Sequence, residues 1–265
     1  MASSCILISV RYLYTNVRKA QAAWLVICLI VIAITGPVWA GSQSLPELEA
    51  SYTVRYGILT GRMTLRLVHV DSGYRYETVL RPRGIASWFR SGTITEQTNL
   101  TIRGDSILPL DYSRKDTIAN PARQTRYLFG EHRVTGRYKA QTIDQPARSD
   151  GHNRISVQIA VMNALRVGSE LDEISVFDRA RWKTYKFDVV PEQFVSIDAG
   201  GFESVEVRYS AADSGREWSL YFAPALDYLP VLFVYRDDGR VKSRAELTSY
   251  RIQGRGSGQS ADKLP

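Results

Sequence analysis

The sequence predicts a mainly β protein, an antiparallel meander closing into a barrel or half-barrel with one helix, and three observations carry that reading. From Leu48 onward short segments alternate apolar and polar residues with a period of two. Turn signals built on Gly and Asp interrupt them at hairpin intervals. One segment alone, residues 153–167, breaks the rhythm with an apolar stripe of helical spacing.

The alternation is plain in Met63, Leu65 and Leu67 against Thr64 and Arg66. It returns in Val205, Val207 and Tyr209 against Glu206, Arg208 and Ser210, and again in Trp218, Leu220 and Phe222. Each such segment has one dry face and one wet face. Turns are expected at Asp71-Ser72-Gly73, Arg103-Gly104-Asp105, Phe129-Gly130-Glu131, Ala199-Gly200-Gly201, Ser214-Gly215 and Asp237-Asp238-Gly239. More than ten strands cannot leave a broad apolar face open, so the sheet curls into a barrel or folds into two packed layers, and the barrel is favoured. Its interior is either hollow enough for a ligand or filled by side chains.

The segment NRISVQIAVMNALRV (153–167) places Ile155, Ile159 and Met162 on one helical stripe, although Ile155, Val157, Ile159 and Val161 also alternate as a strand would. Asp150 or Asn153 is placed to cap a helix start and Gly168 to end it, which favours a helix packed against an opening of the β structure. Residues 116–124 and 142–152 read as exposed loops, and the last dozen residues from Gly254 as a disordered tail.

Ahead of the strands, residues 1–40 read as a secretory signal peptide. Arg18 and Lys19 precede an apolar run over 20–34, short of the ~20 residues that span a bilayer. Gly36-Pro37 breaks it, and Val38-Trp39-Ala40 predicts cleavage between Ala40 and Gly41, which places residues 41–253 in the periplasm as one β domain with no transmembrane segment. The alternative is an uncleaved tether. Both cysteines, Cys5 and Cys28, fall in the removed segment, so the remaining chain has no disulfide, no cysteine nucleophile and no thiolate metal site. Three of the 34 cations leave with it, and 31 against 27 acids is a mild, interspersed excess that argues against a nucleic-acid partner.

No motif names a reaction. The three histidines, His69, His132 and His152, have no ligand spacing, with His152 in a polar loop, and the sequence lacks a His-Glu-x-x-His pair, a Gly-x-Ser-x-Gly elbow and a phosphate-cradling loop. No cofactor is expected. Carboxylate chemistry on glycans needs only two facing acids. Of the sequence neighbours, Asp237-Asp238 serves a turn, Glu203 and Glu206 fall on opposite faces of a strand, and Asp172-Glu173 remains. The one locally unusual stretch is RPRGIASWFRSGTITE (81–96), where Arg81, Arg83 and Arg90 surround Trp88 and Phe89. Such a cluster can hold an anionic amphiphile, its apolar part on the rings and its head group on the guanidinium groups. Its alternative role is to plug the barrel end. Trp182, Phe187, Trp218 and Phe222 read as core.

Four stretches taken together resemble the domain-of-unknown-function 3108 family of exported bacterial proteins. They are YTVRYGILTG from Tyr52, LPLDYS from Leu108, the central apolar segment ending in Leu165-Arg166, and the closing EWSLYFAPALDYLPVLFVYRDDGRVKSRAELTSY from Glu217. The resemblance implies a signal peptide and a barrel-like β domain, and it brings no catalytic residues. The function expected from all this is a non-enzymatic binding or accessory module of the cell envelope for a lipid or glycan. The rivals are a module docking an envelope protein through a strand edge, and a carboxylate hydrolase of envelope glycans.

Overall fold

The computed structural model describes residues 44–84, 87, 91–211 and 214–253, together with the backbone of 255–259. The signal segment with Ala40 and Gly41 lies outside the described residues. The first half of the chain supplies β1 (Leu48–Tyr56), β2 (Leu59–Val70), β3 (Gly73–Arg83), β4 (Ile94–Arg103), β5 (Ser106–Pro109), β6 (Asp111–Asp116), β7 (Arg123–Phe129), β8 (Arg133–Tyr138) and β9 (Gln141–Pro146). After β10 (Gly151–Asn153) comes one helix, α1 (Ser156–Val167). The second half follows with β11 (Glu173–Asp178), β12 (Arg181–Ile197), β13 (Gly200–Ala211), β14 (Arg216–Ala223), β15 (Leu229–Asp237), β16 (Arg240–Ile252) and β17 (Arg255–Gln259). All six expected turns join consecutive strands. Among the described residues no helix is long and apolar enough to cross a membrane.

Neighbours in sequence pair antiparallel almost throughout, which makes the sheet a meander. Strand β1 sits between β16 and β2 and so joins the two halves of the chain. The exception is the passage β10–α1–β11, because β10 lies parallel to β11. No described backbone ladder closes the sheet. Its two ends meet through side chains: the Trp182 indole N–H donates to the Pro146 carbonyl at 2.9 Å, and Phe177 packs edge-on against Tyr127 at 4.9 Å. Gly151 has no side chain because a Cβ there would stand 2.4 Å from the Trp182 ring.

Inward residues alternate down strands such as β1–β4, whereas β10 and the first half of β15 are buried at successive positions, and Tyr52, Leu65, Leu67, Tyr76, Leu100, Tyr127, Phe177, Leu220, Phe222 and Leu247 are fully buried. Each deep tyrosine must find a partner for its hydroxyl. Tyr52 donates to the Pro230 carbonyl at 2.8 Å and Tyr76 to Gln158 on α1 at 2.8 Å, and burial raises the pKa of both phenols.

The helix is fixed from its first turn. Asn153 is wholly buried; its Oδ1 accepts the N–H groups of Ile155 and Ser156 at 3.1 and 2.9 Å, and its Nδ2 donates to Thr98 on β4 at 2.9 Å. Gly168, at φ 71°, ends the helix in the left-handed conformation. Farther along, Asn163 donates to the Asp105 carbonyl at 2.8 Å, so α1 runs along the inner face toward the β4–β5 turn.

Three expectations need correction. Residues 142–152 are not one exposed loop: they include most of β9 and the start of β10, where His152 is buried, not set in a polar loop. The smaller loop between β6 and β7 survives. Residues 255–259 are not a tail but pair with Ser249–Ile252 of β16, the part of that edge that β15 leaves unpaired.

Two stability measurements follow from these contacts. Asn153→Ala removes the acceptor of the Ile155 and Ser156 N–H groups and the tie to Thr98, so urea unfolding should show a loss of about 2 kcal/mol or more; a loss below 0.5 would refute the role. Burial, opposed by Asp150, pushes the His152 pKa down to about 4. The unfolded ring titrates near 6.5 and takes its proton first, so stability present above that pH is lost, by about 3 kcal/mol, as pH falls toward 4. His152→Gln should flatten that decline, and an unchanged slope would contradict the buried neutral ring.

Candidate functional site

Antiparallel register gathers one set of turns at a single end of the barrel. Tyr56 faces Ser243, Thr60 faces Arg83, Asp178 faces Arg181 and Asp237 faces Arg240, so the β1–β2, β11–β12 and β15–β16 turns and the end of β3 form a common rim. Helix α1 occupies the opposite part of the interior. Between its first turn and strands β11–β15 lies a cavity of about 560 Å³ that opens at this rim.

One wall is a row of rings. Tyr209, Trp218 and Tyr235 line the cavity and face one another across β13, β14 and β15, and the buried Phe187 on β12 extends the row beyond the cavity lining. Phe187 stacks on Tyr209 at 5.1 Å, Tyr209 lies within 13° of parallel to Trp218 at 6.5 Å, and Trp218 meets Tyr235 at 4.5 Å. Tyr185 adds an edge-on contact to Tyr209 at 5.6 Å. Period-two alternation at a shared register is what lines these rings up.

The opposing feature is charge. Arg154, just before α1, is enclosed by protein yet keeps 39% of its side chain accessible, because it faces the cavity. Glu96 on β4 pairs with its Nε at 3.2 Å, also takes Arg114 at 3.2 Å, and accepts the Tyr112 hydroxyl at 2.5 Å. The Glu96 charge raises the Arg154 pKa against the opposing effect of burial, so the guanidinium stays charged. Toward the rim stand Arg179, Arg181, Lys183 and Arg216, with Asp178 as the single carboxylate among the described lining residues. Burial raises the Asp178 pKa, but the bond from Lys183 at 2.8 Å and the charges of Arg154 and Arg179 outweigh it and hold the pKa low. Arg179 and Ala180 form the β11–β12 turn with φ of 52° and 66°, a conformation that costs non-glycine residues about 1 kcal/mol each. Tyr127 supports it by accepting the Ala180 N–H at 3.3 Å.

A ring wall facing a fixed guanidinium can hold a molecule with a flat or apolar body and an anionic group. A second hollow of about 590 Å³ lies on the outer face of β4, β6, β7 and β8, with Lys115, Arg126, Arg137 and Lys139 and no aromatic lining. Among the described residues no three His, Cys, Asp or Glu gather as metal ligands.

The residues singled out in the sequence fall elsewhere. Arg81 and Arg83 are exposed on the outer side of the rim, outside the cavity lining. Trp88, Phe89 and Arg90 lie outside the described residues. Of the aromatics read as core, Phe187 and Phe222 are buried, Trp182 closes the seam, and Trp218 lines the cavity. Arg154 was passed over; a lone arginine at the head of an apolar helix was the available signal. Glu206 is buried and clamped by Arg208 at 3.0 and 2.8 Å, while Glu203 is exposed, so the two do not converge.

Among the curated proteins no relative matches. Among solved structures, the chain is similar to a beta-barrel-like protein of domain of unknown function DUF1849 from Brucella abortus, with a TM-score of 0.53 and 13% identity over 80% of this chain and 100% of that one. That likeness is one of fold. Residues 51–246 match the family described as protein of unknown function (DUF3108), and the chain belongs to that family.

Proposed function

We propose that this chain is an exported, non-enzymatic binding module of the bacterial cell envelope, working in the periplasm after cleavage before Gly41, and that its cavity takes an anionic lipid or glycan. The observation that carries the reading is the pairing of the Tyr209–Trp218–Tyr235 wall with Arg154 in a cavity of about 560 Å³. Ring faces receive acyl chains or sugar rings, and a guanidinium receives phosphate or carboxylate as a charge-assisted pair. The volume is that of a small-molecule site, about 300–1,000 Å³. Binding without chemistry is supported by Asp178, which is held ionised by Lys183 and Arg179 and so is a poor proton donor.

Calorimetric titration with dodecyl phosphate and with an anionic disaccharide tests the reading and separates the two ligand classes. One of them should bind, and Arg154→Gln and Trp218→Ala should each weaken it by about tenfold or more. Arg126→Gln, on the outer face, should leave binding unchanged. Binding of neither probe, or equal binding by all variants, would overturn the proposal.

A further inference from the structure

The inward cross-strand row does not stop at the cavity, although Ser243 interrupts its rings. Tyr235 faces Ser243 on β16, Ser243 faces Tyr56 on β1, and Tyr56 faces Leu59 on β2, so the same inward row continues to the rim as an apolar lip. Tyr56, Leu59 and Val241 are exposed there, and Ile58, at the tip of the β1–β2 turn, is 94% exposed. An isoleucine almost fully in water at a hairpin tip does nothing for the fold, and apolar groups clustered with it mark a contact surface.

The outer side of the same strands says what the surface would meet. Arg62 faces Arg81 across β2 and β3, and Arg55 faces Arg244 across β1 and β16, with Arg83 and Lys242 alongside. Like charges directly opposite each other destabilise a sheet. Glu246 partly offsets one pair, reaching Arg55 at 3.2 Å and Arg244 at 2.5 Å. Arg62 and Arg81 remain opposed and exposed. An apolar lip backed by guanidinium groups complements an anionic lipid surface, where the lip enters the acyl boundary and the arginines meet phosphates.

We infer that the rim end docks on an anionic membrane surface, with the Ile58 hairpin inserted and Arg62, Arg81 and Arg83 on the head groups. This goes beyond the cavity reading and stands without it.

The test uses the chain from Gly41, which contains every core residue of the compact unit beginning at Leu45. Flotation is measured with vesicles of phosphatidylglycerol and phosphatidylcholine, and with phosphatidylcholine alone. The protein should float with the anionic vesicles only, and less so as salt rises. Ile58→Asp, at a site with no packing to lose, should weaken binding at least about tenfold at an unchanged melting temperature. The double variant Arg81→Gln with Arg83→Gln should weaken it by about tenfold and flatten the salt dependence. Phe194→Asp, an exposed apolar position away from the rim, should have no effect. No binding to anionic vesicles at low salt, or equal binding by Ile58→Asp, would overturn the inference. So would failure to float combined with self-association that Ile58→Asp abolishes, since a second copy would then cover the lip.

Discussion

Glu96 is the group on which the interior depends. It points inward from β4 and is almost wholly buried, so its charge must be paired to be tolerated. Arg154, Arg114 and Tyr112 all converge on it. Because Arg154 directly precedes α1, satisfying Glu96 also fixes where the helix begins. Asn153 adds a neutral tie from the same bend to β4, and Gln158 extends the attachment to β3. A helix held this way fills one part of the barrel and cannot slide toward the rim to fill the rest.

The hollow at the rim is therefore the space that a short helix leaves. α1 has 12 residues, roughly 18 Å at 1.5 Å per residue, and the strands beside the cavity run past it. The rings that line this space face one another instead of interdigitating with an opposite wall. The Trp182–Pro146 bond and the Phe177–Tyr127 contact bring the two ends of the sheet together where, among the described residues, no backbone ladder joins them. The result is an enclosure with a rigid helical floor, an aromatic wall and a basic opening.

Much of the fold was legible because its determinants are local. Six turns were marked by Gly and Asp, strand faces by alternation, and the helix by Asn153 and Gly168 at its ends. The misreadings have a common cause. β9 and β10 are short and polar and so leave no periodic signature, although β9 forms a local hairpin with β8 while β10 finds its partner β11 only across α1, and β17 pairs along the edge that β15 leaves open on β16. The cavity was illegible for a related reason. Tyr209, Trp218 and Tyr235 occupy inward positions that would read identically in a packed core, as their buried neighbour Phe187 does. The arginine-rich stretch from Arg81 was conspicuous because its composition is local, but the fold places Arg81 and Arg83 on the outer rim, away from the cavity.

The most direct measurement is native mass spectrometry of the chain recovered from the envelope of a bacterial host without detergent. The account predicts a species heavier than the protein alone by one anionic lipid or glycan, released as a single component on denaturation. A homogeneous mass equal to that of the bare chain, recovered under the same conditions, would contradict it.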